Sequence, residues 1–293
     1  MQAIRNELAR ILQVDESDID AIRVMKSGMT NQSFLANYGE NQYIVRIPGK
    51  GTEQLINRGQ EATVYRVIEP LCLSEEVIWM DAESGLKISK FLQGAHVCNA
   101  YDETEVRKCI RQLKKFHTAN LKVEHTFDLF EQILFYEAQR GDMPSAYSDY
   151  QETKQQILSL KEYVTRHAGE MCLTHIDAVP DNFLILEDGS VRMIDWEYAG
   201  MQDPHVDLAM FCIYAMYNRQ QVDHLIDVYF DGECEWEVRV KIYCYIAIGG
   251  LLWSNWCEYK HSLGICFGDY AKRQYQYAKE YYRIFLEENN VSD

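Results

Sequence analysis

Residues 174–200 read THIDAVPDNFLILEDGSVRMIDWEYAG. The first part places His175, Asp177 and Asn182 in the pattern H-x-D-x-x-x-x-N, and Asp195 follows between an apolar and an aromatic residue. Two short apolar runs on either side of residues 187–190 predict a β-hairpin, because Asp-Gly-Ser is typical of a turn. The hairpin joins the two polar parts, so we interpret all four residues as one functional unit rather than as unrelated loop residues.

This combination of residues suits phosphoryl transfer. Such a reaction needs a carboxylate beside the attacking hydroxyl, with an Asn and a second carboxylate on Mg²⁺. Asp177 is therefore predicted to be the catalytic base, and Asn182 and Asp195 the metal ligands, since Mg²⁺ prefers oxygen ligands. His175 belongs to the same catalytic loop, where packing and hydrogen bonding suit it better than proton transfer.

The composition is that of an ordinary globular protein. Of the 293 residues, 47% are apolar and 25% are charged. No apolar run approaches the roughly 18 residues of a membrane-spanning helix, so no membrane insertion is predicted. The nine cysteines include no C-x-x-C pair, which favours reduced thiols and a cytoplasmic location.

The net charge of −16 bears on possible partners. It argues against a nucleic-acid partner, since proteins that bind nucleic acids carry basic surfaces. An acidic surface favours a cationic substrate, although solubility alone would also explain it. No feature of the sequence indicates an obligate protein partner.

The first 92 residues are predicted to form a small, β-rich N-terminal lobe. Their alternating or helical periodicity predicts helices over 2–13 and 53–68 and strands over 19–25, 32–38, Gln42–Ile47, Val77–Met80 and Leu86–Phe91.

Residues 93–293 are predicted to form a larger, mainly helical C-terminal lobe. Helical periodicity predicts helices over 103–119, 127–140, 149–167, 204–217, 221–230, 235–259 and 269–288, interrupted only by the hairpin strands Phe183–Leu186 and Val191–Ile194. The predicted fold is therefore α+β and bilobal, and we expect ligands to bind in the cleft between two such lobes.

Two features of the small lobe could bind a nucleotide. The loop between two of its strands has small residues and backbone N–H groups that could cover phosphates, and it comprises Ser27, Gly28, Met29, Thr30 and Asn31. Arg46 ends a strand and Glu61 lies in the following helix, as in kinases where a strand cation pairs with a helix carboxylate. An ordinary hairpin turn and a surface ion pair are the structural alternatives.

The last third of the chain is rich in aromatic residues, among them Tyr214, Tyr217, Trp253, Trp256, Tyr259, Phe267, Tyr270, Tyr275 and Tyr277. Trp253 and Trp256 are three residues apart on one predicted helix and so share a face. Such rings can surround a quaternary ammonium, because its charge is attracted to π faces. Packing in the core would equally account for any single ring.

Taken together, these residues resemble the choline/ethanolamine kinase family, within the aminoglycoside-phosphotransferase-like kinases, and most closely its bacterial members. The resemblance spans nearly the whole chain and is most specific at 174–182, 194–200, 203–209, 252–254 and 267–270. It implies a protein-kinase-like fold and phosphorylation of choline with ATP and Mg²⁺. Two positions depart from the family pattern: Gly250, where some eukaryotic relatives have Trp, and Tyr214, where an acidic residue is often found.

The resemblance also implies residue roles. It supports the roles of Asp177, Asn182 and Asp195 given above, assigns the loop from Ser27 to Asn31 to the phosphates, and makes Arg46 their cation. We also expect the adenine of ATP to lie near residues 89–93. The resemblance assigns the cation pocket to Asp207, Tyr217, Trp253, Trp256 and Tyr270.

Other functions remain open at this point. The substrate could be ethanolamine, thiamine or an aminoglycoside instead of choline. A catalytically inactive, kinase-like protein that only binds a ligand is a second class, which the complete set of Asp177, Asn182 and Asp195 disfavours.

Overall fold

A computed structural model of the chain describes residues 1–25, 31–49, 52 and 55–289. Four residues predicted to cover phosphates, Ser27, Gly28, Met29 and Thr30, lie outside the described residues. The chain forms two compact units, the first comprising 1–98 and 181–199 and the second comprising 99–180 and 200–293. The division into lobes at 92/93 stays a prediction.

The first unit is built on an antiparallel sheet in the order β1-β2-β3-β5-β4. The strands are β1 Ile19–Val24, β2 Asn31–Tyr38, β3 Asn41–Pro48, β4 Val77–Met80 and β5 Lys87–Lys90. In the register of β3 with β5, Arg46 lies directly opposite Lys87. Since residues opposite each other point to the same face of a sheet, two cations lie side by side there.

Two helices belong to this unit. α1 (Gln2–Leu12) packs Ile4 and Leu8 into an apolar core with Val45 and Ile88 of the sheet. α2 spans Arg58–Ile68, and its N-cap Asn57 accepts a hydrogen bond from the backbone N–H of Gln60. The sequence predicted this helix from residue 53, but Asn57 has extended backbone and caps the helix, so it begins later.

The remaining strands of the first unit carry the second half of the opening motif. β6 (His96–Val97), β8 (Phe183–Ile185) and β9 (Val191–Met193) form a three-stranded antiparallel sheet. The predicted hairpin is confirmed as β8 and β9.

The second unit is mainly helical. Its helices are α3 Glu103–Thr118, α4 Leu129–Gln139, α5 Tyr150–Arg166, α6 His205–Tyr214, α7 Arg219–Phe230, α8 Trp236–Ser262 and α9 Asp269–Asn289. Every residue of α8 from Val240 to Lys260 is buried, so this helix is the core around which the unit packs. No helix within the described ranges is both long and apolar enough to cross a membrane.

Two short strands of the second unit were not predicted. β7 (Cys172–Thr174) and β10 (Gly200–Gln202) pair antiparallel, with Thr174 opposite Gly200. Each strand has only three residues, which is too short for the alternation of apolar and polar residues that identifies a strand in a sequence. This pairing brings the two ends of residues 174–200 together, so residues 175–199 leave and return to the same short sheet.

Gly250 allows α8 and α9 to approach closely, and it provides a test of this packing. A Cβ at Gly250 would lie 2.6 Å from the backbone oxygen of Gln274, whereas a Cβ at Gly249 would meet only side-chain atoms of Ile213 and Met210, at 3.2 Å and beyond. We expect Gly250→Ala to lower the free energy of unfolding by about 1–3 kcal/mol, because the backbone of α9 cannot move away from the added methyl group without disturbing the helix packing.

The matched control is Gly249→Ala. Flexible side chains can move there, and Ala is favoured over Gly in a helix by about 1 kcal/mol, so this variant should be near neutral. Denaturant titrations of both variants measure the difference. Equal stability of the two would contradict the close approach of α8 and α9.

Candidate active site

A buried ion pair joins β3 and α2 in the first unit. Nη1 of Arg46 donates to Oε1 of Glu61 at 2.5 Å, and Nη2 donates to Oε2 at 2.9 Å. Burial acts to lower the pKa of Arg46, but the charge and hydrogen bonds of Glu61 raise it above its usual value. The predicted pairing of these two residues is thus present in bidentate, desolvated form rather than as a surface ion pair.

Two further residues, which the sequence analysis did not single out, complete this network. Nη1 of Arg58 lies 2.8 Å from Glu61 and 2.9 Å from Oε2 of Glu197. Asn31, predicted as part of the phosphate loop, instead donates from its side chain to Glu197 and accepts from Arg58. The available signals were spacings: Arg58 precedes Glu61 by one helical turn, and Glu197 follows Asp195 by two residues.

Asp195 and Asn182 are held next to each other by the β8–β9 hairpin. The backbone N–H of Ile194, directly before Asp195, donates to the backbone oxygen of Asn182 at 2.9 Å. Asp195 has a φ of 64°, a left-handed conformation that is uncommon for residues other than glycine. The hairpin therefore places the two predicted metal ligands at one end of β8 and β9, with Asp195 in a strained backbone conformation.

The first unit has the chemistry of a cation site. One carboxylate oxygen from each of Glu61, Asp195 and Glu197 lies within 4.8 Å of the others. Burial raises the pKa of Asp195 to about 7, and the charge of Glu197 adds to this rise, while Arg46, whose Nη1 is 3.3 Å from Asp195, opposes it. A bound divalent cation would relieve this repulsion between carboxylates, so the residues present fit a hard metal ion with oxygen ligands.

The loop that carries Asp177 belongs to the second unit and depends on a buried carboxylate. The backbone N–H of Ile176 donates to Oδ1 of Asp207 at 2.7 Å, and that of His175 donates to Oδ2 at 2.9 Å. Ile176 has a φ of 68°, which is a rare conformation for a β-branched residue. Asp207 stabilises the backbone of His175 and Ile176. It therefore determines the position of Asp177, which is the next residue.

Asp207 therefore has a different position from the one predicted. It was expected beside a substrate ammonium, but it has no exposed surface, and Nε2 of His117 also lies 3.0 Å from its Oδ2. A carboxylate that accepts hydrogen bonds from two backbone N–H groups and lies against a histidine supports the loop rather than a ligand. His175 is likewise fully buried, which favours its structural role over proton transfer.

An aromatic cluster in the second unit contains most of the rings predicted to form a cation pocket. It consists of Tyr214, Trp253, Trp256, Phe267 and Tyr270. Each ring contacts the next, with centroids 6.0 Å apart for Trp253–Trp256, 4.9 Å for Trp256–Phe267 and 6.0 Å for Tyr214–Tyr270. Several π faces and edges thus gather in one place, as a quaternary ammonium requires.

The aromatic cluster lies near the predicted base. Burial raises the pKa of Tyr270 well above its usual value, and the negative charge of Asp177 adds to this rise. The Asp177 carboxylate is therefore within electrostatic range of the aromatic cluster. One ring already has a cation of the chain itself: Nζ of Lys260 lies 5.5 Å from the centroid of Trp256.

Tyr217, which was also predicted to line the cation pocket, contacts two rings outside the aromatic cluster. Its ring contacts those of Tyr101 and Phe211, and its hydroxyl donates to the backbone oxygen of Ala100. α6 ends at Tyr214 and Met216 has a φ of 59°, so the chain turns before it reaches Tyr217.

The sequence is similar to those of known kinases. The family model of choline/ethanolamine kinase matches residues 22–229. The protein LicA of Haemophilus influenzae is 28% identical over 271 residues, which cover 84% of this chain and 96% of that protein.

Solved structures give the same result. Choline kinase LicA from Streptococcus pneumoniae is similar with a TM-score of 0.84 and 29% identity, covering 96% of this chain and 98% of that one. The aminoglycoside phosphotransferase APH(4)-Ia shares the fold at a TM-score of 0.70 and 15% identity, covering 95% of this chain and 98% of that one. The predicted α+β, protein-kinase-like fold is confirmed, and the chain belongs to the choline/ethanolamine kinase family.

Proposed function

We propose that this kinase transfers the γ-phosphoryl group of ATP to the hydroxyl of choline and forms phosphocholine and ADP. The observation that carries the choice of substrate is the aromatic cluster, whose rings contact one another in the same unit that contains Asp177. Choline bears a trimethylammonium and a hydroxyl two carbons apart. The aromatic cluster suits the first group and a carboxylate base suits the second.

The first unit would hold the nucleotide and its metal. Arg46 is a buried, permanently charged donor suited to phosphate oxygens, and Glu61 fixes its orientation. Asn182 and Asp195 would hold Mg²⁺, with Glu61 and Glu197 close to Asp195. Mg²⁺ supplies neutralisation of the charge on the phosphoryl oxygens.

The transfer step follows from the role of Asp177. As the hydroxyl oxygen of choline forms its bond to the γ-phosphorus, the bond from that phosphorus to the β–γ bridging oxygen breaks, and ADP takes the electron pair. The hydroxyl proton goes to the carboxylate of Asp177. Little covalent chemistry is required of the protein, so the rate depends on position and charge.

The choice of choline over a primary amine rests on the chemistry of its head group. A trimethylammonium has no N–H to donate, so rings suffice for it. The ammonium of ethanolamine needs hydrogen-bond acceptors, and Asp207, which could have been one, has its carboxylate directed at backbone. The cytoplasmic location and the absence of an obligate protein partner stay predictions.

Asp177→Asn tests the catalytic assignment. Removing the base should lower kcat by about 10²–10⁴-fold, because general-base catalysis contributes that much. The KM for ATP should stay within about threefold, since Asp177 is not assigned to nucleotide binding. A coupled assay of ADP release measures both.

The matched control is Asp188→Asn in the exposed turn between β8 and β9. The same substitution is made there at an exposed side chain that accepts a hydrogen bond from the backbone N–H of Ser190. We expect kcat not to change. An Asp177→Asn enzyme with near wild-type kcat would rule out the assignment.

Trp253→Leu tests the cation pocket, because it removes a π face while keeping an apolar side chain. One contact of this kind is worth about 0.5–2 kcal/mol, so we expect the KM for choline to rise by about 2–30-fold. The KM for ATP should not change.

Trp236→Leu is the control on the same helix, since Trp236 is partly exposed at the first position of α8 and outside the aromatic cluster. Equal losses for choline and ATP in the Trp253 variant would indicate that Trp253 serves packing alone.

A further inference from the structure

The residue after the proposed metal ligand Asp195 is tied down by its side chain. Trp196 is fully buried, and its Nε1 donates to the backbone oxygen of Met193 at 2.9 Å and to Oγ of Ser74 at 3.2 Å. The transfer step described above does not use this indole N–H. A phenylalanine would fill most of the same space, so packing alone does not account for the hydrogen bonds of the indole N–H.

Ser74 belongs to a buried polar chain. Its hydroxyl donates to Glu75, whose carboxylate also accepts from the hydroxyl of Tyr65 at 3.1 Å and from Nζ of Lys87 at 2.5 Å. Lys87 and Glu75 are both buried. Ser74 thus accepts from Trp196 and donates to Glu75, so its one hydroxyl connects an indole to a charged, desolvated group.

The same segment also contacts β9 through its backbone. The N–H of Met193 donates to the oxygen of Leu73 at 2.8 Å. The segment 73–75 therefore holds both the strand that leads into Asp195 and the side chain that follows it. We call the contacts of Trp196, Ser74 and Glu75 the indole brace.

The indole brace connects the residues that surround the proposed phosphate and metal site. Lys87 lies opposite Arg46 in the sheet, and Tyr65 lies one turn after Glu61 on α2. Trp196 lies between Asp195 and Glu197 in sequence. Each end of the indole brace is therefore next to a residue of the ion-pair network.

Asp195 needs such support because of its backbone. A non-glycine residue with a φ of 64° is held in a conformation that costs about 1–2 kcal/mol, and it keeps that conformation only if its surroundings enforce it. Relaxation of the loop would move the carboxylate, and metal sites lose about 10–100-fold in affinity when the groups that orient their ligands are removed.

We propose that Trp196 and Ser74 are positioning residues that hold the carboxylate of Asp195 toward the metal ion of the metal–nucleotide complex. This inference rests on the proposed function, in which Asp195 is a metal ligand. It predicts that loss of the indole N–H or of the serine hydroxyl weakens metal binding and leaves choline binding intact.

The test uses the full chain and three variants. Trp196→Phe removes the N–H and keeps a ring, Ser74→Ala removes the hydroxyl, and Ser74→Thr retains it. Binding of Mn²⁺ alone, followed by electron paramagnetic resonance, gives a readout independent of turnover. We expect the Kd for Mn²⁺ to rise about tenfold in the first two variants and to recover in Ser74→Thr.

Steady-state kinetics and melting curves complete the experiment. The KM for the metal–ATP complex should rise in Trp196→Phe and Ser74→Ala, while the KM for choline stays within about twofold. Wild-type Mn²⁺ affinity in both variants would overturn the proposal. Ser74 is half-buried, and Ser74→Ala removes only one oxygen atom, so we expect this variant to fold. It therefore tests the proposal even if Trp196→Phe does not fold.

Asp195→Asn distinguishes a failure of the positioning role from a failure of the metal assignment. If it weakens Mn²⁺ binding while Ser74→Ala and Trp196→Phe do not, the indole brace is structural only and the proposed function stands. If Asp195→Asn also binds Mn²⁺ like the wild type, the metal assignment is wrong, and the proposal for the indole brace fails with it.

Discussion

The hydrogen bonds from the backbone of His175 and Ile176 to the carboxylate of Asp207 are the interaction on which the catalytic loop depends. Ile176 is a β-branched residue with a positive φ, and such a residue relaxes unless its N–H has a strong acceptor. Asp207 is buried and lies against His117 from α3, so a helix from each side of the motif in sequence stabilises the loop. Asp177 follows directly, and its position is a consequence of this arrangement.

The first unit shows a second constraint, a balance of buried charge. Arg46 and Arg58 lie among three carboxylates, Glu61, Asp195 and Glu197. The three carboxylates outnumber the two guanidinium groups, and the raised pKa of Asp195 shows where the excess negative charge is least favourable. A divalent cation would complete the set, which explains why these residues suit a metal–nucleotide complex better than an apolar ligand.

Much of the site follows from sequence spacing because its residues lie on short, local elements. The loop with Asp177 and the hairpin that joins Asn182 to Asp195 are contained in one stretch of the chain, and its ends pair at Thr174 and Gly200. The bidentate pair of Arg46 and Glu61 was predicted from a strand followed by a helix.

The misplaced residues have a common physical reason. Spacing shows that Asp207 lies on a helix, but it cannot show that its carboxylate accepts hydrogen bonds from the backbone of His175 and Ile176, 32 and 31 residues earlier. Tyr217 was assigned to the cation pocket by the resemblance, and the sequence could not show that α6 ends three residues before it. Arg58 was missed because its spacing shows that it lies one turn before Glu61 but cannot show that its guanidinium also reaches Glu197, 139 residues away in sequence.

The central claim is that Asp177 serves a hydroxyl carried by a quaternary amine. The most direct measurement is kcat/KM from ADP release with choline, ethanolamine, thiamine and kanamycin under identical conditions, with the phosphorylated product identified by ³¹P NMR. The account predicts stoichiometric phosphocholine and the highest kcat/KM for choline. A higher kcat/KM for ethanolamine or kanamycin, or ADP release without phosphocholine, would contradict it.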